Sequence, residues 1–146
     1  MTRPKPITGY TVAKRHTTAA LKSELASGAK GEEALHIAIA DVLRLSAKPG
    51  VIWWHCPNGG KRSRSEAARF KRMGVLAGVS DFQISLPNGR MAFMEVKTPR
   101  GIVSEAQEAF LVGMAANGHL IVIMRNLDEA TRLLVAWDAI KPVRVA

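Results

Sequence analysis

Two apolar runs joined by Pro87-Asn88-Gly89-Arg90 constrain this chain more than any other stretch. Before the turn, Phe82, Ile84 and Leu86 alternate with Gln83 and Ser85, the period of a half-buried strand. After it, Met91, Phe93 and Glu95 alternate with Ala92, Met94 and Val96, so the second strand is apolar on both faces and belongs inside a sheet. Asn88-Gly89 supplies the positive φ that a tight hairpin turn needs. A two-residue turn there pairs Pro87 with Arg90 and Asp81 with Val96. Asp81 then falls one residue out of phase with Glu95 and Lys97, which share a face. Bringing Asp81 onto that face requires an odd-length loop or a bulge.

With that adjustment, two carboxylates and one lysine converge at the end of the hairpin. Burying like charges together is costly, and a hard divalent cation between them removes the cost. Mg²⁺ accepts such oxygen ligands while keeping several waters. The competing reading is a surface hairpin whose charges are solvated.

At 146 residues, with 47% apolar side chains, the chain has the size of one domain with a real core. Its 21 Lys and Arg against 12 Asp and Glu leave a formal charge of +9, which suits a polyanion, most often nucleic acid. Cys56 is the single cysteine, so no internal disulfide can form and a reducing compartment is expected. It also lacks the nearby Cys/His quartet of a structural zinc site. No apolar run approaches a membrane span, and no secretion signal is visible.

Residues 1–30 carry Arg3, Lys5, Lys14, Arg15, Lys22 and Lys30 against Glu24, and form a basic N-terminal arm. Val12 to Leu25 is a candidate short helix, ending at Gly28. The remainder, residues 31–146, is the folded unit. Glu32 to Leu45 reads as a helix with Leu35, Ile39 and Val42 along its apolar stripe. Glu32 lies beside that stripe and can face the sheet, while Glu33 points away. Acids are also favoured in any first helical turn by the helix dipole.

Val51 to His55 reads as a strand; His55 at its end can lie near the site, although a single histidine there more often reads as structural. Pro57-Asn58-Gly59-Gly60 is a loop, and Lys61, Arg62, Arg64, Arg69, Lys71 and Arg72 follow, opposed by Glu66. Lys and Arg here neutralise a phosphate backbone without reading sequence. The alternative is a solvated helix face with Ala67, Ala68 and Phe70 turned inward. Ser104 starts a helix to about Asn117, where Ser104 and Gln107 form a capping box and Gly118 ends the element. His119 to Met124 is a buried strand. Asn126 caps a last helix reaching about Trp137. The order is helix, strand, helical segment, hairpin, helix, strand, helix, which gives an α/β sandwich around a mixed sheet.

Gly78-Val79-Ser80-Asp81, Glu95-Val96-Lys97 and Gly101-Ile102-Val103-Ser104-Glu105-Ala106-Gln107 together resemble the signature of the VRR-NUC nucleases of the PD-(D/E)XK superfamily. The resemblance runs from about Glu32 to the strand near Ile123, with its elements in the family's order. Ser80 departs from it, standing where the superfamily name has Pro. The resemblance implies a restriction-endonuclease-like fold, with a mixed central sheet flanked by helices. It implies a phosphodiester-cleaving endonuclease with Asp81, Glu95, Lys97 and Gln107 as catalytic residues. Glu32, Asp81, Glu95 and the Val96 carbonyl are then ligands for Mg²⁺, with Mn²⁺ as substitute. Glu32 matches the glutamate that opens the family's first helix, and Gln107 its glutamine near the metal. The Asn-Gly loop and basic helix imply DNA contacts from Asn58, Lys61, Arg62, Arg64 and Arg69.

Single-domain members of the resembled family imply a homodimer on branched DNA of the Holliday-junction type, in the cytoplasm of a bacterial or phage-infected cell. The N-terminal arm and the last helix are the elements left for a partner subunit to receive. The alternatives are a sequence-nonspecific nickase, a restriction-type nuclease, and a basic DNA-binding protein with a degenerate site. Asp81, Glu95 and Lys97 standing together argue against the last.

Overall fold

The computed structural model describes residues 29–58 and 60–142. The basic arm and its candidate helix thus lie almost wholly outside the described residues. Helix α1 (Ala29–Ser46) is followed by strand β1 (Ile52–His55), helix α2 (Arg64–Arg72), strands β2 (Phe82–Ser85) and β3 (Met91–Val96), helix α3 (Glu105–Ala116), strand β4 (Leu120–Met124) and helix α4 (Leu127–Ala136). The sheet order is β1-β2-β3-β4. The first two pairings are antiparallel and β3–β4 is parallel, so the sheet is mixed. β3 lies inside it, and five of its six residues are buried, as a strand apolar on both faces requires.

The hairpin turns differently from the two-residue expectation. Its register pairs Phe82 with Met94 and Ser85 with Met91. Leu86 N–H donates to the Arg90 carbonyl at 2.9 Å, which leaves Pro87, Asn88 and Gly89 as a three-residue loop. Gly89 takes φ +83°, the left-handed residue that three-residue hairpin loops use, and Asn88 Oδ1 accepts from Arg90 N–H at 3.0 Å. The odd loop continues the register to Asp81 opposite Glu95.

Alternation along β3 divides the core. Phe82, Ile84, Ala92, Met94, Val96 and Met124 face α1 and α4, meeting Leu35, Ile39, Leu43, Ala130 and Leu134. On the opposite face Phe93 packs edge-on against Phe110 of α3, with centroids 5.3 Å apart, beside Leu111. The parallel β3–β4 pair needs a crossover, and α3 provides it. Asn126 Oδ1 caps α4 by accepting from Glu129 N–H at 2.8 Å. The apolar side of α4, Ala130 and Leu134, is spent inside this core. Burial against α1 and the sheet takes up this side of the last helix, so only its outer face is left for a partner subunit.

Helix α2 corrects a second expectation. None of its residues is buried, and Ala67 and Ala68 are exposed rather than turned inward. Ser63 caps it, and Phe70 lies under the guanidinium groups of Arg62 and Arg69, at 4.8 and 5.4 Å from the ring centroid. Its arginines and lysines outnumber its apolar residues, so no core-facing stripe exists to pull it down.

Gly78 joins this basic segment to the hairpin. It has φ +79°, and a Cβ there would stand 2.2 Å from the Ala106 carbonyl oxygen and 2.7 Å from Gln107 N. Only glycine lets the chain pass the first turn of α3 this closely. Gly74, at φ +88° with nothing within 4 Å of a Cβ, isolates the backbone cost. Gly74→Ala should lose about 1–2 kcal/mol of stability in urea unfolding. Gly78→Ala should lose clearly more, through the added clash. Equal losses would show that α3 moves aside freely.

Candidate active site

Glu95 is the centre of the site. It is 2% exposed, the only buried acid among the described residues. Gln107 Nε2 donates to its Oε1, and Lys97 Nζ lies 3.0 Å from the same oxygen. Gln107 reaches it because the capping box fixes its own helical turn. Ser104 N–H donates to Gln107 Oε1 at 2.9 Å, and Gln107 N–H donates to Ser104 Oγ at 3.3 Å. One amide therefore caps α3 with its oxygen and holds Glu95 with its nitrogen. The capping role and the contact at the site hold together.

Asp81 meets β3 from the neighbouring strand. Its Oδ2 accepts from Val96 N–H at 2.8 Å. Ser80, fully buried just before it, donates its hydroxyl to the Phe82 carbonyl at 3.3 Å. The Asp81 carbonyl accepts from Cys56 N–H at 2.9 Å and faces His55 Nδ1 at 3.0 Å. Asn58 Nδ2 donates to the Val79 carbonyl at 2.7 Å. The segment from His55 to Asn58 is thus fastened along Val79–Asp81, and the basic loop leaves from the edge of the site. Asn58 uses its amide inside the chain, whereas Lys61, Arg62, Arg64 and Arg69 are exposed.

Burial raises the Glu95 pKa first of all. The Lys97 hydrogen bond and charge lower it, while Asp81 and then Glu32 raise it. Glu32, in the first turn of α1, is therefore electrostatically part of this pocket. Two other carboxylates thus act on Glu95, with the Lys97 ammonium opposing them. That donor set suits a hard divalent cation, because ionised carboxylates keep lone pairs beyond the hydrogen bonds they accept. Glu32, Asp81, Glu95 and the Val96 carbonyl are the groups available to hold it.

Two features were missed in the sequence. His36, one helical turn after Glu32, stacks on Phe82 with centroids 4.2 Å apart and meets His55 edge-on at 4.3 Å. Burial, then His55, lowers its pKa, and Asp81 opposes them. The i, i+4 spacing from Glu32 was the available signal. Arg125 follows β4 and donates through Nη1 to the carbonyls of Thr98 at 2.6 Å and Gly101 at 3.0 Å. It pins the loop that follows Lys97, and no local pattern announces it.

A pocket of carboxylates with one lysine thus lies in an α/β domain with a mixed sheet. The sequence profile of the VRR-NUC domain matches residues 31–126. This chain belongs to the VRR-NUC family, nucleases of the PD-(D/E)XK type. A solved structure of a VRR-NUC domain protein superposes with a TM-score of 0.53 at 22% identity, covering 70% of this chain and 86% of that one. The fold is restriction-endonuclease-like. No curated protein sequence matches the chain. No helix among the described residues is long and apolar enough to cross a membrane.

The raised Glu95 pKa has a stability consequence in metal-free buffer. The folded state holds the Glu95 proton more tightly than the unfolded chain, whose value lies near 4.5. Its contribution is then fully present below that pH and is lost as pH rises through the folded value. Glu95→Gln removes this slope. Urea midpoints of the two proteins across pH 4 to 8 should diverge, with wild type falling relative to the variant. Parallel curves would mean that Lys97 offsets burial fully.

Proposed function

We propose that this chain is a Mg²⁺-dependent DNA endonuclease, with Mn²⁺ as a substitute, that acts as a homodimer on branched DNA of the Holliday-junction type. The observation that carries the catalytic part is the convergence of Lys97 and Gln107 on buried Glu95, with Asp81 opposite it in the hairpin register. We assign the nuclease unit to residues 31–146.

In this reading Asp81, Glu95 and the Val96 carbonyl would hold the ion, with Glu32 as a further carboxylate toward it. Bound Mg²⁺ supplies Lewis-acid chemistry and a more acidic water. The Lys97 ammonium, 12% exposed beside Glu95, orients the attacking water and stabilises negative charge developing on the phosphate. Gln107 holds Glu95 in position. Lys61, Arg62, Arg64 and Arg69 neutralise phosphates from a segment that buries none of its helix. Such contacts follow backbone shape rather than base sequence, which supports a structure-directed substrate.

A site with one lysine and one buried glutamate cuts one strand, so two symmetry-related cuts call for two subunits. The exposed apolar residues we assign to the second copy are Ile102 and Val112, 87% and 60% exposed, with Ile121 and Ile123 of the edge strand β4. Light scattering, paired with competition between four-way and linear DNA, tests this part. The expected result is a dimer that prefers the junction. A monomer cutting both substrates equally would leave a sequence-nonspecific nickase.

Asp81→Asn and Lys97→Ala divide the roles. Asp81→Asn should abolish Mg²⁺-dependent cleavage and keep or strengthen DNA binding, since it removes a ligand and a negative charge near phosphate. Lys97→Ala should remove most turnover and leave metal affinity nearly intact by calorimetry. Full cleavage by Asp81→Asn would sink the metal-site assignment.

Neutralising Lys61, Arg62 and Arg64 together should weaken binding to all DNA sequences alike. The slope of log binding constant against log salt should fall by about 0.9 for each phosphate that is no longer neutralised. An unchanged slope would move the DNA surface elsewhere.

A further inference from the structure

His36 and His55 form a cluster with Asp81, and the catalytic reading uses neither histidine. One ligand atom from each lies within 4.8 Å of the other two. They come from three separate parts of the chain: the α1 helix, the end of β1 and the entry to β2. We propose that these three residues form a second metal site, for a divalent transition ion, and that Asp81 is shared between it and the Glu95 site. This rests on the nuclease reading only for the sharing of Asp81.

The chemistry favours a nitrogen-preferring ion. Two imidazoles and one carboxylate are the ligand set of open three-residue zinc and iron sites, whereas Mg²⁺ takes oxygen. The tautomer of His55 is set by its neighbour. Its Nδ1 faces the Asp81 carbonyl at 3.0 Å, and a carbonyl only accepts, so Nδ1 carries the proton. Nε2 is left with the lone pair that a metal needs, the arrangement in which metal-binding histidines are commonly held. The His36 ring is set by stacking on Phe82 at an interplanar angle of 25°. Asp81 Oδ2 accepts from Val96 N–H, and the carboxylate has further lone pairs for cations on either side. Ligands about 2.1 Å from one ion stand about 3.4 Å apart in a tetrahedron, so the cluster closes by roughly 1.4 Å at most, a modest side-chain rotation. An ion held there would share the Asp81 carboxylate with the Glu95 site and would supply further positive charge beside the phosphodiester.

The competing role for the histidines is aromatic packing over Phe82. Co²⁺ binding to the full chain separates the two roles, read by visible absorption and by calorimetric stoichiometry. Wild type should bind about two ions per chain. The His36→Ala/His55→Ala double variant should keep one and lose the histidine-dependent band, with affinity at that site falling at least about tenfold. Glu95→Gln should retain the band. An unchanged spectrum and stoichiometry in the double variant would overturn the proposal. Should that variant fail to fold, ¹⁵N imidazole spectra of wild type titrated with Zn²⁺ decide. Shifts at His36 and His55 support the site, and still resonances there overturn it. The two readings fail separately. If Asp81→Asn loses Mg²⁺-dependent cleavage while the histidine variants bind Co²⁺ as wild type, the nuclease stands and the second site falls. If the histidines bind Co²⁺ in a chain that never cleaves DNA, the reverse holds.

Discussion

With one residue more or fewer in the Pro87–Gly89 loop, Asp81 would point to the opposite face of the sheet from Glu95, since strand side chains alternate with period two. The three-residue loop, closed by Leu86 and Arg90 and turned by left-handed Gly89, fixes that parity. From it follows the position of Val96 N–H under Asp81. The opposite face of the same strands carries Phe82, Met94 and Val96 into the main core, so a register slip would expose that core as well. Fold and site are therefore specified by the same alternation, and neither can shift alone.

A buried Glu95 needs donors, and the structure draws them from elements set by local rules. Gln107 is placed by the Ser104 capping box, and that turn of α3 can come close only because Gly78 has no side chain. Lys97 is placed by strand periodicity. Arg125 then pins the loop behind it. Each donor is secured by backbone contacts, which keeps the pocket organised while its carboxylates repel one another.

Much of this was legible in the residues. Alternation around Pro87–Arg90 announced the hairpin, Asn126 and Ser104 announced helix starts, and the two-faced apolar strand announced an interior β3. The parity problem at Asp81 was legible too, but its solution was not. Loop length is chosen by packing at the strand ends, and Pro87-Asn88-Gly89 admits either a two- or a three-residue turn. The exposure of Ala67 and Ala68 could not be read because pattern alone does not say whether a weakly apolar helix finds a surface to cover. His36 was hidden on a helix face that reads as core, since only the fold brings β1 and β2 to it. The dual role of Gln107 was half legible: the cap is local, the bond to Glu95 spans from α3 to β3.

The basic segment completes the picture from a different principle. Its charge is held out on a helix without a core face, tied at one end to Val79 and Asp81 by Asn58 and Cys56. An exposed basic helix and a cation-suited carboxylate pocket are the two parts that the proposed phosphodiester cleavage uses. The central claim is that Asp81 and Glu95 together hold a divalent ion. Anomalous diffraction from crystals soaked in Mn²⁺ tests it most directly. The account predicts a peak within about 2.5 Å of carboxylate oxygens of both residues and of the Val96 carbonyl. A well-ordered pocket with no peak between the two carboxylates, at saturating Mn²⁺, would contradict it.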